Sequence, residues 1–142
     1  MKTKPVLAIC VGMQALMEHS EENEVVYCLG FVQGNVRYFG DDLADEEGKR
    51  LKVPHMGWNK VSQTQAHPLW KDVPDNSRFY FVHSYYVNID DATKITSTTS
   101  YGKEFVATLA DDNIFATQFH PEKSQIVGLT LLKNFLQWGG QT

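Results

Sequence analysis

Two short stretches carry side chains whose types and spacing suit nucleophilic chemistry. Near the start, Ala8-Ile9-Cys10-Val11-Gly12 sets a cysteine between small residues at the end of an apolar run. This matches the strand–turn–helix elbow written G-x-S-x-G, with cysteine as nucleophile and alanine at the first small position. Small flanks are needed because strand and helix crowd the turn that lifts the nucleophile clear of the sheet. The same turn aims the following backbone N–H groups, from Val11 onward, at an oxyanion beside the sulfur. A helix amino terminus at that point is expected to lower the thiol pKa. Toward the other end, Gln118-Phe119-His120-Pro121-Glu122 follows an apolar strand. A thiol nucleophile needs a base to hold its proton, and the base needs an orienting group. His120 and Glu122 are of the right types, two positions apart around a stiffening proline. Each stretch alone also reads as an inert thiol at a strand end, or as a surface histidine beside a solvated glutamate. Together they give a triad in the order Cys10, His120, Glu122.

The elements that must position these groups follow from the apolar pattern. Val6–Ile9, after Pro5, is wholly apolar, the pattern of a strand buried on both faces. Met13, Leu16 and Met17 recur at helical spacing and predict a helix to about Ser20. Residues 21–24 are a polar loop. Residues 30–39 alternate in part, at Phe31, Val36 and Tyr38, as one or two strands. Residues 41–50 are acidic, contain Gly48, and predict an exposed turn. Residues 78–83 are aromatic and β-branched, a strand composition. Residues 95–100 and 104–109 predict a hairpin around Tyr101-Gly102, and residues 114–119 a further strand. After Ser124, a residue type suited to capping, Leu129, Leu132, Phe135 and Leu136 mark the apolar face of a closing helix. Strand and helix, several strands, then strand and helix again predict an α/β fold with an antiparallel insertion.

Composition narrows the function classes. A chain of 142 residues is one compact domain, and its 42% apolar content excludes a disordered tail. A formal charge of -4 gives no basic footprint for nucleic acid. Two cysteines, Cys10 and Cys28, make no disulfide framework, and Cys28 reads as a buried or partly buried thiol. No stretch has the length of a membrane span and no signal peptide precedes the first strand, which favours a reducing cytoplasm. His19, His55, His67 and His83 are too scattered for a metal motif, and no phosphate loop or dinucleotide fingerprint occurs, so neither metal nor cofactor is expected.

Residues 5–14 with residues 118–124 resemble the class I (triad) glutamine amidotransferases. Residues 52–59, Lys-Val-Pro-His-Met-Gly-Trp-Asn, and residues 79–86, Phe-Tyr-Phe-Val-His-Ser-Tyr-Tyr, are similar to one branch, the glutaminase subunits of imidazole glycerol phosphate synthase. The resemblance implies a flavodoxin-like, mostly parallel sheet flanked by helices. Residues 1–142 would be about the carboxyl-terminal two-thirds of such a domain, without an amino-terminal glycine-containing loop that contributes to the oxyanion hole. It implies that Cys10 attacks the glutamine carboxamide to form a γ-glutamyl thioester, with His120 as base and Glu122 orienting it. Gln14, Ser84 and Tyr85 would bind glutamine. The implied partner is a (β/α)₈ cyclase subunit that takes the ammonia and yields imidazole glycerol phosphate and an aminoimidazole carboxamide ribotide, in histidine biosynthesis. His55, Met56, Trp58 and Asn59 would lie at or near the docking face. Two other readings remain open: a fragment that docks without turnover, and another thiol hydrolase of this architecture, such as a peptidase.

Overall fold

A computed structural model describes residues 4–20, 26–40 and 43–140 of the chain. Alternating and wholly apolar segments give strands β1 (Val6–Ile9), β2 (His19–Ser20), β3 (Val26–Tyr27), β4 (Gly34–Tyr38) and β5 (His55–Gln63). They continue with β6 (Ser77–His83), β7 (Tyr85–Ile89), β8 (Ile95–Ser100), β9 (Glu104–Asp111) and β10 (Ile114–Thr117). The helices are α1 (Val11–Gln14) and α2 (Gln125–Gln137). One sheet has the order β1-β10-β9-β8-β5-β6 and a second the order β3-β2-β4-β7.

β10 is buried along its whole length, and its side chains alternate between two cores, as the two-residue period of a strand requires. Phe115 joins Phe79, Phe81, Phe105 and Phe119 in a core closed by Leu131 of α2. Ile114 and Ala116 face the other way, onto Met13, Met17, Val36 and Val87, where the second sheet covers the first.

The α/β class and the β8–β9 hairpin are as expected, with Ser100 opposite Glu104 and Gly102 at φ 72° in the turn. The sheet, however, is mixed rather than mostly parallel. In the six-stranded sheet β1 and β10 run parallel and the other ladders are antiparallel. β1 is half-buried, not buried on both faces, and β10 is its one neighbour among the described residues. The helix expected to reach Ser20 stops at Gln14. Carbonyls of Ala15, Leu16 and Met17 accept from the N–H groups of Leu29, Val32 and Gly30 instead of continuing the helical ladder. Met13, Leu16 and Met17 are buried all the same. β5 and β7 were not anticipated as strands. The turn expected over residues 41–50 is present from residue 43, where the Asp45 carboxylate accepts from the N–H groups of Glu47 and Lys49. Residues 41 and 42, and the loop expected at 21–24, lie outside the described residues.

The closing helix needs a larger correction. Leu129 and Leu136 are exposed, and the face turned inward carries Gly128, Leu131 and Asn134. Asn134 Nδ2 donates to the carbonyls of Leu69 and Lys71, at 2.8 and 2.7 Å, so the polar residue is satisfied where it is buried. Gly128 lies against the 3₁₀ turn Pro121–Lys123, and a Cβ there would fall 1.9 Å from the Pro121 carbonyl oxygen. Among the described residues no helix is long and apolar enough to cross a membrane.

Gly128→Ala is therefore expected to push α2 away from the 121–124 turn and to cost about 1–3 kcal/mol. Thermal unfolding measures it; a melting temperature equal to the parent's would mean that the helix moves off the turn freely.

Candidate active site

The site is assembled where β1 and β10 end side by side. Their parallel register pairs Ile9 with Thr117, so the next residues, Cys10 and Gln118, leave the sheet together. Cys10 N–H donates to the Thr117 carbonyl at 2.7 Å. Cys10 itself is at φ 53° and ψ −106°, a conformation that costs a non-glycine residue about 1–3 kcal/mol. Strain of this kind is the mark of the elbow that the flanking small residues announced. A Cβ on Gly12 would meet the Ala8 Cβ at 3.5 Å, an ordinary contact, so the two small flanks face each other across the turn.

His120 is held by its backbone. Its N–H donates to the Tyr80 carbonyl on β6 at 2.9 Å. Its own carbonyl accepts from Ser124 Oγ at 2.6 Å, and that oxygen in turn accepts from the Tyr80 N–H at 2.9 Å. Ser124 sits at the position that precedes α2, but its hydroxyl locks His120 to β6 instead of capping the helix. His120 Nδ1 lies 2.8 Å from Glu122 Oε2. A carboxylate can only accept, so the Nδ1 position carries the proton and Nε2 keeps the lone pair of a base.

The structure thus brings His120 and Glu122 together. Among the described residues no hydrogen bond joins Cys10 to His120: the thiol points to the Val82 carbonyl at 3.9 Å. Gln118 Nε2 donates to the sulfur at 3.6 Å. Cys10 is 8% exposed, and burial pushes its thiol above the ordinary range. The Val11 N–H and the Gln118 amide pull it down, Glu122 pushes it up and Lys123 pulls it down, without reversing the effect of burial. The lowering expected from a helix terminus is therefore overridden, because a helix of four residues supplies little dipole and the sulfur is desolvated.

Gln14 is buried beside this centre. Its Nε2 lies 3.4 Å from both the Tyr85 carbonyl and Gln118 Oε1. The Ser84 carbonyl accepts from Phe39 N–H, tying the same segment to β4. Of the four residues expected at a docking face, Met56 and Trp58 are exposed, at 62% and 44%. They project from one side of β5, and Trp58 meets Tyr80 edge-on across the ladder. His55 corrects the expectation: it is buried, because the alternation of β5 turns it into the aromatic core. Asn59 is half-buried and spends its amide inward, on His55 and the Ser100 carbonyl. A cavity of about 830 Å³ bordered by Lys49, Arg50, Lys52, Met56 and Tyr101 lies away from the sulfur.

Three contributors were not found from sequence: Gln118, Ser124 as a lock on His120, and the Val82 carbonyl. The signal available for Gln118 was a lone amide at the end of an otherwise apolar strand.

A buried thiol on a strained elbow stands at the end of one strand, and a histidine–glutamate pair follows the end of the strand parallel to it. The family model for class I glutamine amidotransferases matches residues 1–138, and the chain belongs to that family. It is 60% identical over 138 residues to the imidazole glycerol phosphate synthase subunit HisH of Pseudomonas putida, which covers 97% of this chain and 65% of that protein. It is 54% identical to the subunit of the same name from Neisseria meningitidis, over 97% of this chain and 65% of that one. The chain thus spans just under two thirds of the length of these relatives. Among solved structures, a glutamine amidotransferase from Thermotoga maritima aligns with a TM-score of 0.57 and 16% identity, over 94% of this chain and 47% of that one. The glutaminase domain of Trypanosoma brucei CTPS with bound acivicin aligns with a TM-score of 0.58 and 17% identity, over 94% and 60%. At such identities the structural likeness speaks for the fold alone.

The electrostatics give a signed expectation. Glu122→Gln removes a charge that raises the Cys10 pKa, so alkylation by iodoacetamide at neutral pH should become faster. Lys123→Ala removes one that lowers it, so alkylation should become slower. The pH profile of the alkylation rate checks both; shifts of the opposite sign would contradict the arrangement.

Proposed function

We propose that this chain carries the glutaminase chemistry of an imidazole glycerol phosphate synthase in histidine biosynthesis, and corresponds to about the carboxyl-terminal two-thirds of such a subunit. The observation that supports it most directly is the His120–Glu122 pair set at the end of the strand parallel to the one that delivers Cys10. The name borne by the relatives, imidazole glycerol phosphate synthase subunit HisH, supports the assignment.

In this reading Cys10 Sγ attacks the side-chain carboxamide carbon of glutamine as His120 Nε2 takes the thiol proton. The tetrahedral oxyanion faces the Val11 N–H, which also acts on the resting sulfur. His120 returns the proton to the departing nitrogen, ammonia leaves, and a γ-glutamyl thioester remains. Water, deprotonated by His120, then releases glutamate and restores the thiol. Glu122 holds the imidazole and stabilises its charged form in both halves. Gln14 and the Ser84–Tyr85 segment border the place that the glutamine would occupy. The raised resting pKa is compatible with this cycle, since proton transfer to His120 accompanies attack and no standing thiolate is required.

Ammonia would pass to a cyclase subunit, which makes imidazole glycerol phosphate and the aminoimidazole carboxamide ribotide. Met56 and Trp58 suit that docking face, an exposed thioether and indole being typical anchors at interfaces. A cytoplasmic setting goes with this reading and with Cys10 and Cys28 standing outside any disulfide.

Glutamate release from glutamine, measured for the chain mixed with the cyclase subunit, tests the proposal. Turnover should vanish in Cys10→Ala and fall by about 10²-fold or more in Glu122→Gln, even as that variant alkylates faster. If a longer form of the subunit turns over while this chain does not, the chain docks without catalysis. If neither does, the functional reading is wrong.

A further inference from the structure

Beneath the exposed face of β5 lies a pair of buried histidines that the chemistry above leaves unused. His55 on β5 and His83 on β6 stand opposite each other in the ladder, 3% and 6% exposed. His55 Nδ1 and His83 Nε2 are 3.1 Å apart. His83 Nδ1 is 2.7 Å from the Tyr85 carbonyl, and Asn59 Nδ2 is 3.3 Å from His55 Nε2.

The direction of every bond in this chain is fixed from one end. A carbonyl only accepts, so His83 Nδ1 must donate to Tyr85. In the neutral ring His83 Nε2 is then an acceptor, and His55 Nδ1 must donate to it. His55 Nε2 is left as an acceptor, and the Asn59 amide, which also donates to the Ser100 carbonyl at 2.9 Å, satisfies it. One pair of tautomers meets all the constraints, and burial, which lowers the two rings to about 3 and 4, keeps both neutral. Tyr101 stacks on His55 with ring centroids 3.9 Å apart, and Phe81 lies on its other side at 4.9 Å, so the ring cannot turn freely.

The chain ends at the active site. The carbonyl that His83 holds is the one that Gln14 Nε2 approaches, and Gln14 in turn reaches Gln118, which donates to the Cys10 sulfur. We propose that His83, fixed in one tautomer by His55, is a positioning residue for the glutamine pocket: its Nδ1–H sets the direction of the Tyr85 carbonyl and so the place of Gln14. The inference rests on the glutaminase reading given above. The competing account makes His83 only a filler of the aromatic core, where it packs on Phe39, Phe81 and Phe105.

Two amide variants separate these accounts, because asparagine places its N–H near the Nδ1 position and glutamine places its amide near Nε2. His83→Asn keeps the donor to Tyr85 and loses the acceptor for His55. His83→Gln keeps the acceptor and loses the donor. In the complex with the cyclase subunit, His83→Gln should raise the KM for glutamine about five- to tenfold, the value of one hydrogen bond, with a smaller change in kcat. His83→Asn should restore KM toward that of the parent, while both variants lose comparable thermal stability. A parent that turns over, with equal KM values in the two variants, overturns the positioning role and leaves the glutaminase reading intact. A parent that releases no glutamate under any condition removes that reading and this inference with it. Nitrogen-15 spectra of the histidine rings give a check independent of turnover: protons on Nδ1 of both His55 and His83 are expected, and a proton on His83 Nε2 would refute the proposal.

Discussion

The parallel pairing of β1 with β10 is the constraint on which the rest of the site depends. It makes two chain segments more than a hundred residues apart end at the same level of the sheet, Ile9 beside Thr117. Parallel strands project their following residues to the same side, so the residues after one strand and after the other leave the sheet at the same level. A register slip of one residue would turn Phe115 out of its aromatic core and point Ile114 and Ala116 into it. The core that surrounds β10 thus enforces the alignment of the segments that carry Cys10 and His120.

Once the strands are aligned, the site is held by backbone carbonyls more than by charged pairs. The Thr117 carbonyl takes the N–H of the strained Cys10, the Tyr80 carbonyl takes that of His120, and the Tyr85 carbonyl takes Gln14 and His83. β6 contributes to two of these contacts, through Tyr80 at its middle and His83 at its end, with Ser124 bridging Tyr80 and His120. Elbow strain of about 1–3 kcal/mol persists only where its surroundings over-determine it. Here the bond from Cys10 N–H on one side and the Gln14 N–H to Cys10 carbonyl bond on the other, at 3.1 Å, close the turn from both directions.

What the sequence made legible was local. The elbow, the His-Pro-Glu turn and the β8–β9 hairpin each lie within one short stretch of chain, so their residue types and spacing encode their geometry. What it left illegible depended on partners distant in the chain. The inward face of α2 was misjudged because Gly128 and Asn134, poor in hydropathy, are placed by Pro121 and by the carbonyls of Leu69 and Lys71. The early end of α1 is due to N–H groups of residues 29–32, and no spacing within residues 11–20 records them. His55 was grouped with Met56 and Trp58 because they are adjacent in sequence, although a strand sends neighbours to opposite faces. Treating residues 55–59 as a strand would have separated the buried His55 and half-buried Asn59 from the two exposed residues between them.

Glu122 shows why a resting site does not look like a working one. Its charge orients His120 and, in the proposed cycle, favours the imidazolium that forms on transfer of the thiol proton, yet the same charge raises the pKa of Cys10. The two effects oppose each other only while the sulfur is idle. In the proposed cycle a proton moved to His120 puts a positive charge beside the carboxylate, 2.8 Å from Nδ1 to Oε2, and offsets its repulsion of the sulfur. A buried, protonated thiol that loses its proton only to a prepared histidine is protected from adventitious oxidation and alkylation, which act on the thiolate. The site therefore gains selectivity from the burial that, read as a pKa alone, would count against it.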